Sequence, residues 1–369
     1  MSSHQNTKHT PSPLITHLYT ADPSAHVFNK KLYIYPSHDI DTGIESNDNG
    51  DQYDMSDYHV FSIDTLAPIT QPLPPTSPGE ERGGVDVTDH GKVLKLQDVP
   101  WASKQLWAPD AAERNGVYYL YFPARDKEGL FRLGVAVSDK PEGPFVPERN
   151  WLAGSYSIDP AVFVDSVENS VDEDGDGDGK EAYIYFGGLW GGQLEKWVSS
   201  TSSNPNPESE GGWKFNAAGE EPSLPNQRAL GPRVARLSRS MLSLSSPVHE
   251  VLILDESGAP ITSTDHSRRF FEASWTHKHN GVYYFSYSTG DTHYLVYATG
   301  SSPWGPFTYR GRILEPVSGW TTHHSIVEFE ERWWLLYHDC EMSQGVSHLR
   351  CVKVRELRYG DDGEILLVN

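Results

Sequence analysis

Cysteine is nearly absent from the 369 residues: only Cys340 and Cys351 occur. A disulfide-framed scaffold is excluded, because domains that depend on bridges are cysteine-dense. Both thiols read as reduced and structural, with a single bridge between them left open. Positive charge is also scarce. Against 51 Asp and Glu stand 30 Lys and Arg, a net charge of −21. A phosphate-tracking protein needs clustered cations that release counterions, so nucleic acid and anionic membrane surfaces are poor partners. Long apolar runs are missing too. The longest is VYYLYF, residues 117–122, where a bilayer-spanning helix needs roughly 20 such residues. The N-terminus, MSSHQNTKHTPSP, is polar and has no apolar signal core, which leads us to expect a cytoplasmic protein. Helical periodicity, finally, is almost nowhere: no window of a dozen residues repeats apolar positions at i, i+3, i+4 and i+7 between caps.

What is there is aromatic and β-branched. Trp, Tyr and Phe make up 12 % of the chain, far from a disordered composition. Five segments share one form, a polar residue, a short strand, a turn and an aromatic strand. They begin at Asp22, Ala108, Asp159, Glu272 and His323. Asn115-Gly116 and Asn280-Gly281 are strong hairpin turns. After two of these hairpins come the related closures SDKPEGPF and TGSSPWGPF, residues 138–145 and 299–307, each adding a further strand pair. Five units of roughly 70 residues, each with two hairpins, predict an all-β chain: a five-bladed β-propeller of four-stranded antiparallel blades. Residues 1–12 read as a disordered tail, and residues 13–369 as one catalytic propeller domain. The Pro-rich stretch 66–84 and the Ser/Pro/Gly/Asn-rich stretch 199–226 read as irregular excursions between strands.

In a propeller the innermost strand of each blade starts near the axis on one face. Asp22, Asp110, Asp159, Glu272 and His323 should therefore converge in one funnel. Any one of these carboxylates could simply cap a turn. At equivalent positions of repeated units they look instead like a pocket in which burial and like-charge repulsion push proton affinities apart, giving one acid and one base. Glycosidic bond cleavage requires that pairing. Glu272 lies among Phe270, Phe271, Ala273 and Trp275, surroundings that favour its neutral form.

The motifs YTADPSAHVF (residues 19–28), LWAPDAA (106–112), SIDPAVFVD (157–165), FFEASW (270–275) and THHSIVEF (322–329) closely resemble glycoside hydrolase family 43 and occur in family order. The resemblance runs over residues 13–367. It implies a five-bladed propeller that hydrolyses with inversion. Asp22 matches the general base, Glu272 the general acid and Asp159 the carboxylate that orients the acid and tunes it. Trp107 and Trp101 match positions near the sugar pocket, although large aromatics are often only core. Asp110 is expected among the substrate contacts. Arg350 resembles an arginine that reaches sugar hydroxyls, with structural charge compensation as the other reading. His323 matches a histidine that approaches a cation, often calcium, on the axis. No organic cofactor is implied, the partner is a small oligosaccharide, and oligomeric state is not indicated.

The motifs most resemble β-xylosidase and α-L-arabinofuranosidase members acting on xylan-derived oligosaccharides. The insert at residues 39–57, with 199–226, favours a walled pocket over the open groove of an endo-arabinanase. A non-catalytic binding propeller would be expected to lose one of Asp22, Asp159 or Glu272. A phosphorolytic enzyme would need a cationic site, for which Arg268 and Arg269 are the candidates. Residues 172–177, DEDGDG, imitate the start of an EF-hand loop, but position twelve is Tyr183 rather than Glu, so a solvated hairpin tip is expected. His277 and His279 alternate on one strand without a third ligand and read as surface residues near a turn. The acidic excess concentrates in residues 39–57 and 165–181, which read as solvated loops.

Overall fold

The protein is described by a computed structural model covering residues 11–70, 84–166, 178–199 and 212–368. Its sheets form the five blades of a propeller. Blade one comprises Tyr19–Phe28, Lys31–Asp39, Asp57–Ile63 and Val87–Lys95 in that spatial order. Blade two comprises Asp110–Arg114, Val117–Asp126, Phe131–Ser138 and Val146–Pro147, and blade three Ala161–Ser166, Lys180–Phe186, Arg233–Arg236 and His249–Glu250. Blade four comprises Glu272–His279, Val282–Ser288, Leu295–Gly300 and Phe307–Leu314, and blade five His324–Phe329, Arg332–Asp339 and Cys351–Leu357. All pairings within these sets are antiparallel, and the inner strands neighbour one another in ring order.

The expected four strands hold for blades one and three, while blade two carries a fifth, Ala102–Lys104, which pairs antiparallel with the far end of Val117–Asp126. Blade four gains a fifth, parallel strand, Ile253–Leu254 on Phe307–Leu314. Blade five has three, and the N-terminal segment closes the ring onto it: the Leu14 N–H donates to Val352 O at 2.8 Å and the Thr20 N–H to Arg350 O at 2.9 Å. Residues 199–226 are less irregular than expected, since Trp213–Phe215 pairs with Trp197–Ser199.

Local chemistry makes the hairpins. Two-residue turns with left-handed backbone at both central positions match strand twist. Four blades use one: Asn115-Gly116 and Asn280-Gly281 as expected, and also Asn29-Lys30 and Glu330-Glu331. In blade three the paired ends Ser166 and Lys180 bracket the acidic run; the EF-hand-like residues 172–177 lie outside the described residues.

Alternation along the strands sends side chains between blades. Tyr35, Tyr58, Leu120 and Phe122 form a core between blades one and two, Ile34, Phe61, Trp334 and Leu336 one between blades one and five, and the largest core joins blades two to five. Both cysteines are buried and unbridged. No helix among the described residues is long and apolar enough to cross a membrane.

Candidate active site

A cavity of about 420 Å³ opens at the axis, and Asp22, Asp159, Glu272, Trp107, His323 and Arg350 all line it. The first strands of blades one and four aim Asp22 and Glu272 inward by breaking the ladder at their starts. Register slips between Ala21 and Ser24, and between Glu272 and Trp275. Asp22 (φ 49°), Asp159 (φ 55°) and Ala273 (φ 63°) are left-handed. Non-glycine residues pay strain for that conformation, and bulges of this kind re-aim side chains at functional sites.

Asp22 is 5 % exposed and fully engaged. One carboxylate oxygen accepts from Arg350 Nη1 at 2.9 Å and the other from Ser37 Oγ at 2.7 Å. The backbone N–H of Asp22 donates to His338 Nδ1 at 3.0 Å. That nitrogen therefore carries no proton, and His338 Nε2 faces the Thr321 carbonyl at 3.0 Å as donor. Burial beside Arg350 drives the His338 pKa to about 3, so the ring is neutral. Burial would raise the Asp22 pKa, but the Arg350 guanidinium beside it, with the Ser37 hydrogen bond, outweighs that and holds the group near 2.

Asp159 and Glu272 go the other way. Burial, reinforced by the Asp22 charge against the pull of His323, lifts Asp159 to about 6. Glu272 rises well above an ordinary glutamate through burial and the charges of Asp159 and Asp22, against Arg350. Asp159 also positions its neighbour: its Oδ2 accepts the Ala273 N–H at 2.8 Å, fixing the peptide that follows Glu272. One carboxylate is thus ionised throughout the working range while a second holds its proton.

Arg350 spends most of its donors on protein. Nε and Nη2 bind the two oxygens of Asp39 at 2.8 and 2.7 Å, and Nη1 binds Asp22 and Thr321 Oγ1. A guanidinium has five N–H groups, so one on Nη2 remains for a ligand. Charge compensation and ligand contact are both open to this residue. Trp107 donates Nε1–H to Tyr53 O at 2.7 Å and packs on Phe131, so its ring is rigidly presented.

Two expected contacts are elsewhere. Trp101 is 6 % exposed. It stacks on Phe122 and edges against Trp151 within the core between blades one and two, because its apolar surface is satisfied there. Asp110, 1 % exposed, ties three blades: it accepts from Ser24 Oγ, from His26 Nε2 at 2.6 Å and from the Val162 N–H. Neither lines the cavity. His277 is no surface residue; it is buried against Tyr284, bonds to Tyr359 OH at 2.6 Å, and burial lowers its pKa to about 3. Arg268 pairs with Asp265 and Glu256, and Arg269 with Glu221 and Asp291, so both cations are consumed outside the cavity and a phosphate site there is not formed. The acidic loops are not simply solvated either, since Asp39 and Asp57 are buried in ion pairs.

Sequence reasoning missed several residues. Asp39 has no repeat position to flag it. Ser46, Asn47, Gln52, Tyr53 and Met55, from the long insert of blade one, form one wall of the cavity. Trp190 and Trp320, each 37 % exposed with rings 5.6 Å apart, form its rim. The GGLWGG run around Trp190 was a usable signal. A Cβ on Gly188 or Gly192 would lie 2.6 or 2.7 Å from Ile158, so those glycines let the tryptophan loop close over the pocket.

A propeller that gathers carboxylates of split proton affinity under aromatic walls is the scaffold of a carbohydrate-cleaving enzyme. The chain belongs to the glycosyl hydrolases family 43, whose family model matches residues 85–201 and 210–365. It is 62 % identical over 356 residues to xylosidase/arabinosidase 43A of Humicola insolens, covering 96 % of this chain and 98 % of that one. It is 51 % identical over 352 residues to a xylosidase/arabinosidase of Bacteroides ovatus, covering 95 % of each. A β-xylosidase/α-arabinofuranosidase from a compost microbial metagenome, solved with xylotriose in a calcium-free form, superposes with a TM-score of 0.82 at 53 % identity over 97 % of both chains.

Side chains at the axis of the propeller bear on whether it can hold a cation such as calcium. His323 Nε2 is buried without a hydrogen-bond partner, 3.8 Å from Asp159 Oδ2, and Thr20, Thr322, Ser274 and Ser325 of the inner-strand region carry orphaned hydroxyls. One imidazole, neutral oxygens and a nearby carboxylate fit a largely hydrated cation. The fit has a cost. His323 Nδ1 accepts the His324 N–H at 2.8 Å, and ligation through Nε2 would move the ring proton onto that nitrogen.

Proposed function

We propose that the protein is an inverting exo-glycosidase that releases terminal β-D-xylosyl and α-L-arabinofuranosyl units from xylo-oligosaccharides or arabinoxylan fragments. The observation that carries this reading is the split within one walled pocket, with Asp22 held near pKa 2 and Glu272 raised well above its ordinary value. Glu272 donates its proton to the leaving glycosidic oxygen as the bond from that oxygen to the anomeric carbon breaks. A water on the opposite ring face bonds to that carbon and passes its proton to Asp22. The low proton affinity of Asp22 keeps it ionised, and the water becomes acidic only as it meets the developing oxocarbenium centre. Asp159 holds Glu272 in place through the Ala273 N–H and keeps it protonated through its charge. Arg350 fixes Asp22 and offers its remaining N–H to a sugar hydroxyl, while Trp107 supplies an apolar face.

His323, with Asp159 close by, would hold a hydrated calcium ion; such an ion would supply positive charge that favours the ionised carboxylates. The wall built by the blade-one insert supports an exo-acting pocket over an endo-acting groove.

The test uses leaving groups. Glu272→Ala should nearly abolish cleavage of xylobiose yet spare much more activity on nitrophenyl β-xyloside, whose leaving group needs little protonation. Equal losses would remove Glu272 from the acid role. Asp22→Ala should damage both alike, and NMR of the first-formed xylose should show the α-anomer. Nitrophenyl β-xyloside and nitrophenyl α-arabinofuranoside assayed side by side measure the balance of the two activities.

A further inference from the structure

Outside the pocket, blade one carries a second cluster of chemistry-bearing side chains. His38 lies on its second strand, Asp57 and His59 on its third and Asp89 on its fourth. None of them lines the catalytic cavity. We propose that His38, Asp57 and His59 form a binding site for a divalent transition-metal ion of the zinc class.

Three potential ligand atoms already face one another, all within 4.8 Å: His38 Nδ1, an Asp57 carboxylate oxygen and a His59 ring nitrogen. His38 Nδ1 is 2.6 Å from Asp57 Oδ1, and His59 Nε2 is 3.8 Å from the same oxygen. With metal–ligand bonds of about 2.0–2.1 Å, ligand atoms of a tetrahedral site stand roughly 3.3 Å apart. One gap must open and the other close by well under 1 Å, which side-chain rotation supplies.

A separate observation points to a missing ligand. His59 is 9 % exposed, and its Nε2 is buried with no hydrogen-bond partner. Buried polar atoms are seldom left so. Its other nitrogen is committed, because Nδ1 faces Asp89 at 3.0 and 3.3 Å. Asp89 is itself held by the Gly91 N–H at 2.7 Å and by His17 Nε2 at 2.8 Å. An ionised carboxylate there fixes the proton on Nδ1 and turns the Nε2 lone pair toward Asp57. The same carboxylate–histidine arrangement orients metal-ligating imidazoles generally.

The donor set selects the ion. Two imidazoles and one carboxylate suit zinc, nickel or copper, whereas calcium prefers an all-oxygen shell of about 6 to 8 ligands. The competing cation is Lys92, whose Nζ is 2.6 Å from Asp57 Oδ2. It approaches the other carboxylate oxygen, and its side chain is 48 % exposed, so it can turn to solvent when the ion enters. Binding displaces the proton between His38 and Asp57, which makes affinity fall as pH drops. The bound ion would clamp the second and third strands of blade one and, through Asp89, the fourth.

The experiment uses the untagged full chain stripped with a chelator, titrated with zinc chloride and followed by calorimetry and thermal unfolding. The wild type should take up one more zinc ion than His59→Gln or His38→Gln and unfold at a higher temperature with zinc, an increment both variants lose. Asp89→Asn, which keeps all three ligands, should weaken uptake about 10- to 100-fold, and Lys92→Ala should strengthen it. Cobalt in place of zinc should give visible ligand-field bands in the wild type and not in His59→Gln. Equal stoichiometry and equal cobalt spectra in wild type and both histidine variants, or no uptake by the wild type, would overturn the proposal. The variants keep every residue of the catalytic pocket, so hydrolysis of nitrophenyl β-xyloside reports whether they fold.

Discussion

Replacing Asp159 with asparagine should make the protein more stable and less active, and the size of the first effect follows from the structure. Burial lifts this carboxyl from 3.8 to about 6. A group whose folded pKa is raised contributes nothing adverse below its unfolded value, where both states are protonated. The penalty grows as pH rises toward 6 and is complete above it. At 1.36 kcal/mol per unit, the ionised side chain costs folding about 3 kcal/mol at pH 7. Asparagine has the same shape and can still accept the Ala273 N–H that Asp159 now holds at 2.8 Å, and its amide faces the aqueous cavity. Denaturant unfolding should therefore show Asp159→Asn about 2–3 kcal/mol more stable than wild type at pH 7 and nearly equal to it at pH 4. In the same variant the alkaline limb of kcat/KM should move to lower pH, because the charge that helps Glu272 keep its proton has gone. A variant whose stability difference is the same at both pH values, or whose alkaline limb stays in place, would refute the electrostatic role given to Asp159.

Other substitutions separate architecture from chemistry. Asp110→Ala leaves three buried donors without an acceptor and should cost about 2–4 kcal/mol of stability, while the folded fraction keeps the wild-type kcat on nitrophenyl β-xyloside. Trp101→Phe should likewise lower the melting temperature and leave KM unchanged, since the ring belongs to the core. Asp39→Ala strips Arg350 of its main anchor in a buried ion pair and should destabilise by about 3–5 kcal/mol; kcat/KM should fall in step as Asp22 loses its fixed partner. Trp190→Ala at the rim should raise KM for xylotriose about fivefold with little change in kcat, a loss of about 1 kcal/mol of aromatic contact.

The repeated aromatic strands and the turn dipeptides made the propeller legible, because two-residue hairpins leave a short-range signature. Three carboxylates could be found because the repeat puts them at equivalent strand starts. Asp39 could not. Its importance comes from Arg350, 311 positions away, and no local pattern encodes a pairing across the ring closure. Asp110 was misjudged for a related reason. It occupies the same repeat position as the pocket carboxylates, yet Ser24, His26 and Val162 surround it with donors, and a buried carboxylate so engaged is a joint between blades. Trp101 and Trp107 are six positions apart and chemically identical, and only packing tells the core ring from the pocket ring.

The hydrogen bonds that close the ring also set when the site can exist. Asp22 comes from the start of the chain and Arg350 from near its end, 328 positions apart, and the Thr20 N–H to Arg350 O bond lies next to both. Such a contact carries nearly the largest loop-closure entropy the chain can incur and belongs to the slowest events of folding. A nascent chain that has made four blades holds its base without the guanidinium that fixes it, so activity should appear last and all at once. In refolding, recovered hydrolysis would then report ring closure itself, lagging behind the return of β-structure.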